Sequence, residues 1–294
     1  MSTQSVVRYH ARMQRVLQYI DQHLEADLSV ETLGEVAAFS KHHFQRQFSA
    51  SFGISVGRYV QLARLKRASY RLAYRKSDPV LEIALDSGYE GPESFARIFR
   101  QKTDQSPTEF RRKPHWTSWH AAVAPLQQAR SKYMTQQFSD SDVRVVDFPA
   151  TSVAVMEHRG DPERVGETIR RFIDWRTAAG LSPKESATFN IFHSDPDETP
   201  PDEFRMDMCA VMNRGIDPNV EGVAESLIPA GRCAVLRLKG SSDDLRAASQ
   251  YLYADWLPAS GEEPRDFPFF VQRLTFMPDV AEHEAVTDLF LPLR

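Results

Sequence analysis

The sequence predicts two domains. The first is an all-α domain with two helix-turn-helix units in tandem, and the second is an α+β domain made of a duplicated strand-helix-strand-strand unit. Three observations carry this. A short amphipathic pattern occurs twice in the first 113 residues. A longer strand-helix pattern occurs twice after residue 143. Charge divides at the same place: residues 1–113 hold 18 Lys+Arg and 12 Asp+Glu, net +6, and the remainder is net −10. A basic half joined to an acidic half assigns any nucleic-acid contact to the first.

The first helix is marked by Met13, Val16, Ile20 and Leu24. Ser29 is placed to cap the second, whose inner face is Leu33, Val36 and Ala37. Ser40 sits at the N-cap of the third, where Phe44, Phe48 and Phe52 recur at i, i+4 and i+8 and leave Lys41, His42, Gln45 and Arg46 on the other face. Arg can reach guanine O6 and N7, and Gln can reach adenine N6 and N7. Gly53 ends this helix as a C-cap glycine. Ser55 starts a long helix to about Lys76, along which Arg64, Arg67, Arg71 and Arg75 form a stripe. That stripe either runs near phosphates or pairs with acidic neighbours. Asp78-Pro79 reads as N-cap and first residue of the next helix, and Gly88 opens its turn.

The second copy then appears. Phe95, Arg97 and Phe99 follow Phe44, Arg46 and Phe48 by 51 residues, whereas Leu33 and Phe39 match Ile83 and Tyr89 at 50. The second turn is therefore one residue longer. A purely structural bundle has no need to repeat Arg at one place on the second helix. Arg97, Arg100 and Lys102 occupy its polar positions. Ser106-Pro107-Thr108-Glu109 is a capping box that opens a last short helix.

Residues from about 10 to 113 resemble the DNA-binding domain of the AraC/XylS family of bacterial transcription regulators. The resemblance rests on Ser40-Lys41-His42-His43-Phe44-Gln45-Arg46-Gln47-Phe48, on Arg64-Leu65-Lys66-Arg67-Ala68, on Ile83-Ala84-Leu85-Asp86-Ser87-Gly88-Tyr89 and on the terminal Ser-Pro-Thr-Glu-Phe-Arg-Arg. It implies seven helices carrying two readers for successive major-groove segments, which lie about 34 Å apart. It further implies base contacts from His42, Gln45 and Arg46 in the first reader and from Glu93, Ser94 and Arg97 in the second. His42 departs from the family's Trp. Pro92 and Glu93 replace amides, and Glu93 either accepts from cytosine N4 or repels phosphate.

Periodicity fades from Lys113 to about Asp142, which reads as a linker (114–142) with one helical turn. Trp116 and Trp119 lie within it. Beyond it, Pro149–Val155 matches Pro229–Val235 at a shift of 80, as Gly160 does Gly240. Trp175, Gly180 and Asp207 match Trp256, Gly261 and Asp288 at 81. Strands are expected at 153–157, 189–193, 205–211, 234–238, 270–276 and 286–291, with helices at 163–179 and 243–257. Two such halves, with facing sheets, would leave a cleft suited to a small molecule.

This half, residues 143–294, resembles the GyrI-like ligand-binding domain, through Phe204–Cys209, Pro229–Val235, Trp256–Gly261 and Thr287–Leu293. The combination resembles a Rob-like architecture, with the DNA-binding domain first. The family's pocket Glu corresponds here to Val271, whose repeat mate is Asn190, and Arg273 replaces an aromatic. A Val with a nearby Arg suits a neutral or anionic ligand, unless Arg273 is a structural ion pair. Phe192, Met208 and Trp256 either line the cleft or pack the core. Glu157 and Asp207 read as surface or sheet-edge carboxylates.

The resulting expectation is a cytoplasmic, non-enzymatic transcription regulator that binds double-stranded DNA, a small-molecule effector and RNA polymerase. Its DNA-binding set is Lys41, His42, Gln45, Arg46, Glu93, Ser94, Arg97 and Arg100. Its effector set is Asn190, Phe192, Met208, Trp256, Val271 and Arg273. No apolar run approaches about 18 residues, so no membrane span is expected. Cys209 and Cys233 lack metal spacing, and no cofactor or metal is expected. Hydrolysis by the second domain, or a sequestering role for it, are the alternatives. Val271 removes the obvious acid from the first of these.

Overall fold

The computed structural model describes residues 3–131, 138–213, 215–216 and 219–294. It divides into a helical unit, Met1–Thr135 with Met277–His283, and a sheet unit, Gln136–Phe276 with Glu284–Arg294.

The helical unit contains eight α-helices among the described residues: α1 Thr3–Gln22, α2 Val30–Ala37, α3 Lys41–Phe52, α4 Val56–Tyr74, α5 Val80–Asp86, α6 Pro92–Thr103, α7 Pro107–Arg112 and α8 Trp116–Ser131. Their boundaries follow the capping residues. The Ser29 side chain accepts from Thr32 N–H and Ser55 from Arg58 N–H. Ser106 and Glu109 form the reciprocal capping box. Pro79 is the N-cap of α5, one residue later than the Asp78 expected, because Asp78 instead accepts from Arg71. The apolar faces of all eight converge on one core containing Phe44, Phe48, Tyr59, Phe95, Phe99, Phe110 and Trp119. Burying each of these side chains contributes roughly 1.5–3 kcal/mol.

The eighth helix corrects the linker expectation over 116–131. Trp116, Trp119, Val123, Leu126 and Arg130 step at three or four residues and are buried, although Pro125 stands inside the helix. The rest of that linker includes 132–137, which lie outside the described residues.

The sheet unit is one eight-stranded antiparallel sheet in the order β1-β6-β8-β7-β3-β4-β2-β5. The strands are β1 Val143–Phe148, β2 Thr151–Arg159, β3 Thr188–Phe192, β4 Arg205–Val211, β5 Ala224–Ile228, β6 Gly231–Lys239, β7 Phe270–Thr275 and β8 Val286–Pro292. The order reads the same from both ends once repeat mates are exchanged, with the pseudo-twofold between β7 and β3. Each repeat is thus strand-strand-helix-strand-strand. Its leading strand, β1 or β5, was not foreseen. β1 pairs with β6 of the other repeat, and β5 with β2. The expected pair of facing sheets is replaced by a continuous one, because β3 and β7 hydrogen-bond across the repeat boundary.

One face of the sheet carries helix α9, Val165–Ala178, over β2 and β4. It also carries a second helix made of α10 Leu245–Gln250, a π-helical turn Tyr251–Trp256 and α11 Leu257–Ser260. The shift between repeats grows from 80 at Gly240 to 81 at Trp256. A single added residue in a helix is absorbed as a π turn, and the turn falls in that interval.

Candidate nucleic-acid interface and effector groove

The two helix-turn-helix units superpose in sequence on the same plan. In the first, Ala38 takes the left-handed conformation (φ 54°), and its N–H donates to Glu35 C=O at 2.9 Å. Gly34 makes room for this turn, since a Cβ there would lie 3.2 Å from Phe39 O. In the second unit Gly88 (φ 76°) stands at Ala38's place. A Cβ on Gly88 would lie 2.4 Å from Leu24 O and 2.5 Å from Arg64 Nε. Gly88 therefore serves more than the turn. It leaves space for Arg64, whose Nε donates to Leu24 C=O at 2.8 Å and whose Nη2 donates to Ala26 C=O at 2.7 Å.

On α3, burial of Phe44, Phe48 and Phe52 turns Lys41, His42, Gln45 and Arg46 outward, and all four are exposed. Lys41 pairs with Glu31, which holds the Glu31 carboxyl below its ordinary range. On α6, burial of Phe95 and Phe99 turns Glu93, Arg97 and Arg100 outward, all exposed. Ser94 is half-buried, and its hydroxyl donates to Gly91 C=O at 2.9 Å, at the start of the helix. An open concavity of about 440 Å³ lies between α4 and α6, lined by Gly57, Gln61, Arg64, Tyr89, Ser94 and Arg97 among others. Burial pushes the Tyr89 hydroxyl up to about 12, with Arg64 opposing.

The arginine stripe of α4 is half-buried and paired within the helical unit. Besides Arg64, Arg67 pairs with Glu25 at 3.2 Å, Arg71 with Asp78 at 2.8 Å and also with Asp86, and Arg75 with Asp279. These four side chains bind carbonyls and carboxylates of the helical unit, which decides between the two readings of the stripe. On the two recognition helices, Lys41, Arg46, Arg97 and Arg100 are exposed.

The effector set gathers on the helix-bearing face of the sheet. Asn190 and Val271 are cross-strand partners at the pseudo-twofold. Met208 and Leu289 flank them on β4 and β8. Strand alternation puts Phe192 and Arg273 on the same face. Val271 packs with Leu252 and Trp256 under the second helix, Met208 packs with Phe172 under α9, and Phe192 touches both clusters. Arg273 Nε donates to Asn190 Oδ1 at 3.0 Å, and its Nη1 to Ser242 Oγ at 2.9 Å and Thr287 Oγ1 at 3.4 Å. Met208, Val271 and Trp256 are core residues, leaving Phe192 and Arg273 as the less buried members. Arg176 of α9 is buried against Leu181 C=O, Ser186 C=O and the Thr188 hydroxyl, and burial pushes its guanidinium down to about 10.

Sequence reasoning missed Tyr253 and Phe269. Tyr253 is exposed on the π turn, and its ring lies 6.2 Å from Phe269, which lies 5.9 Å from Phe192. The change of repeat shift was the signal that pointed there. The carboxylates lie elsewhere. Glu157 pairs with Arg205 at 2.5 Å. Asp207 falls on the opposite face, with its Oδ2 2.7 Å from His193 Nε2. Its repeat mate Asp288 accepts two bonds from Arg237. Cys209 and Cys233 are buried in the core of that same face, and burial pushes both thiols up. No metal-binding cluster occurs among the described residues, and no helix among them is long and apolar enough to cross a membrane.

Residues 141–294 match the GyrI-like small molecule binding domain, and residues 33–113 match a helix-turn-helix domain. The probable transcriptional regulator YgiV of Escherichia coli K12 is 37% identical over 153 residues, covering 52% of this chain and 96% of that protein. The right origin-binding protein of the same strain is 31% identical over 104 residues, covering 35% of this chain and 36% of that protein. The regulatory protein SoxS of Salmonella typhimurium is 29% identical over 99 residues, covering 34% and 92% respectively. The chain belongs to the GyrI-like small-molecule-binding family and carries an AraC-type helix-turn-helix domain ahead of it.

Proposed function

We propose that this GyrI-like family member reads one asymmetric DNA site with α3 and α6 and adjusts that binding when a small molecule occupies the helix-side groove of its sheet. It is a transcription regulator by kinship, and RNA polymerase is the partner such a role requires. One observation carries the reading. Two helices repeated at 51 residues turn polar and cationic side chains outward, while the four stripe arginines of α4 are engaged by carbonyls and carboxylates of the helical unit. Lys41, His42, Gln45 and Arg46 are the first reader's contacts. Glu93, Ser94, Arg97 and Arg100 are the second's. In the groove, Arg273 and Asn190 offer polar contacts beside Phe192, Val271, Met208 and Trp256. The cross-strand row Met208–Asn190–Val271–Leu289 carries no carboxylate, which supports binding rather than hydrolysis.

Phosphate neutralisation releases counterions, so the affinity of the whole chain for duplex DNA should fall steeply between about 50 and 200 mM salt. Fluorescence anisotropy with a labelled duplex reads this directly, and binding insensitive to salt would remove the interface from α3 and α6. For the groove, a small-molecule library screened by thermal shift should yield ligands that raise Tm, because anything bound only by the native state stabilises it. Arg273→Leu should abolish the shift. Ligands whose shift survives both Arg273→Leu and Asn190→Leu would place the site elsewhere.

A further inference from the structure

Helix α8 lies beyond the helix-turn-helix match, which ends at residue 113, yet it packs on α3, α4 and α6 together. Two lines of contact run from it to the backs of the readers. Near its C-terminal end, Arg130 Nη1 donates to both carboxylate oxygens of Asp21 on α1, at 2.8 and 2.9 Å, and to the Tyr59 hydroxyl on α4 at 3.3 Å. The Tyr59 ring then meets Phe48, on the buried face of α3, at 5.7 Å. Near its N-terminal end, Trp116 meets Phe110 of α7 edge-on at 5.6 Å. Phe110 in turn meets Phe99, on the buried face of α6, at 5.3 Å. At that same end Trp116 also lies 6.0 Å from Tyr74, and one turn on Trp119 lies 5.4 Å from Tyr70, both on α4.

The helix is therefore a brace that touches α4 at both ends and reaches the buried faces of α3 and α6 through Tyr59 and Phe110. Close apolar packing already resists displacement. A buried ion pair adds a directional constraint, since separation leaves an uncompensated charge in the core. Arg130 and Asp21 are 3% and 8% exposed. The pair thus fixes the position of α8 along α1 and α4, and the aromatic contacts carry that position to the readers.

Geometry makes this matter for reading. Two recognition helices in successive groove segments must match a repeat of about 34 Å, and one base pair changes the spacing by roughly 3.4 Å and the direction by roughly 35°. We propose that α8 sets the spacing and angle between the two readers, with Arg130 as its positioning residue. Tolerance for operator spacing then resides in a helix behind the readers. This rests on the double-reader function proposed above.

The test uses the full chain and duplexes carrying both blocks of its selected site, with one base pair inserted or removed between them. Wild type should lose about tenfold or more in affinity at either altered spacing. Arg130→Ala should shrink that penalty to about threefold or less while leaving affinity for a single block unchanged. Tyr59→Phe removes only the 3.3 Å bond and should relax the penalty part-way. Arg46→Ala, a reader change, should weaken all spacings alike. Should Arg130→Ala fail to fold, the paired replacement Asp21→Leu with Arg130→Met removes both charges together and should relax the penalty in the same way. A folded variant of either kind that keeps the wild-type spacing penalty overturns the inference. A wild-type protein that selects no two-block site overturns it together with the double-reader function.

Discussion

The two readers share a plan and differ in chemistry. α3 opens with Ser40, Lys41 and His42, and carries its carboxylate partner at a distance, on α2. α6 opens with Gly91, Pro92 and Glu93, so a carboxylate stands in its first turn. A carboxylate there suits the helix dipole but opposes phosphate approach. The turns differ too. Ala38 accepts a left-handed conformation that costs an alanine something, whereas Gly88 occupies a space that only glycine fits. The first turn thus closes on its own unit, through Ala38 N–H to Glu35 C=O. The second is also an anchorage for Arg64 and the α1–α2 connection.

The largest expected effect follows from the turns. Gly88→Ala should cost about 2–4 kcal/mol, from strain at positive φ and collision with the Leu24 carbonyl. Ala38→Gly at the matching place should be neutral or stabilise by less than about 1 kcal/mol. Urea unfolding of both variants measures this, and equal losses would erase the asymmetry between the units.

Next come the readers themselves. Arg46→Ala should weaken binding to the selected site by about 1–3 kcal/mol and blur one base position. Arg97→Ala should do the same in the other block. Anisotropy titrations against selected and scrambled duplexes separate the cases. Equal loss on both duplexes would make these arginines phosphate contacts only.

A smaller effect is expected at Glu93. If its carboxylate repels phosphate, Glu93→Gln should tighten binding to every sequence by a few-fold, about 1 kcal/mol, and flatten no base preference. If it accepts from cytosine, the same change should instead lose preference at one position of the second block. Sequencing the pool retained by Glu93→Gln distinguishes them.

The smallest effect concerns α7, which has a side-chain cap where α3 has none. The Ser106 N–H and hydroxyl hold the Glu109 carboxyl below its ordinary range. A depressed carboxylate contributes stability above its unfolded pKa, and that stability is lost as pH falls through the lower folded value. Hydrogen exchange at the Ser106 amide should quicken through that acid window, relative to amides of the α4 interior. An amide whose relative protection is flat with pH would contradict it.

The helical unit was legible in sequence because its signals are local. Caps, a C-cap glycine and an i, i+4, i+8 stripe fix each helix. α8 was obscured by Pro125, although the spacing of Trp116, Trp119, Val123, Leu126 and Arg130 is helical throughout. In the sheet unit the repeat was plain, while the closure was not. Nothing local in Asn190 or Val271 says that β3 pairs with β7, and the short, polar Ala224–Ile228 gives little strand signal on an edge. The fate of the α4 arginines was equally non-local, since Leu24, Glu25 and Asp86 come from other elements.

The most direct measurement is selection of a randomised duplex pool by the whole chain at moderate salt, followed by sequencing of what is retained. Tandem readers should yield one asymmetric motif with two blocks about one helical turn apart. A single block, or no enrichment at all, would contradict the claim that α3 and α6 read DNA together.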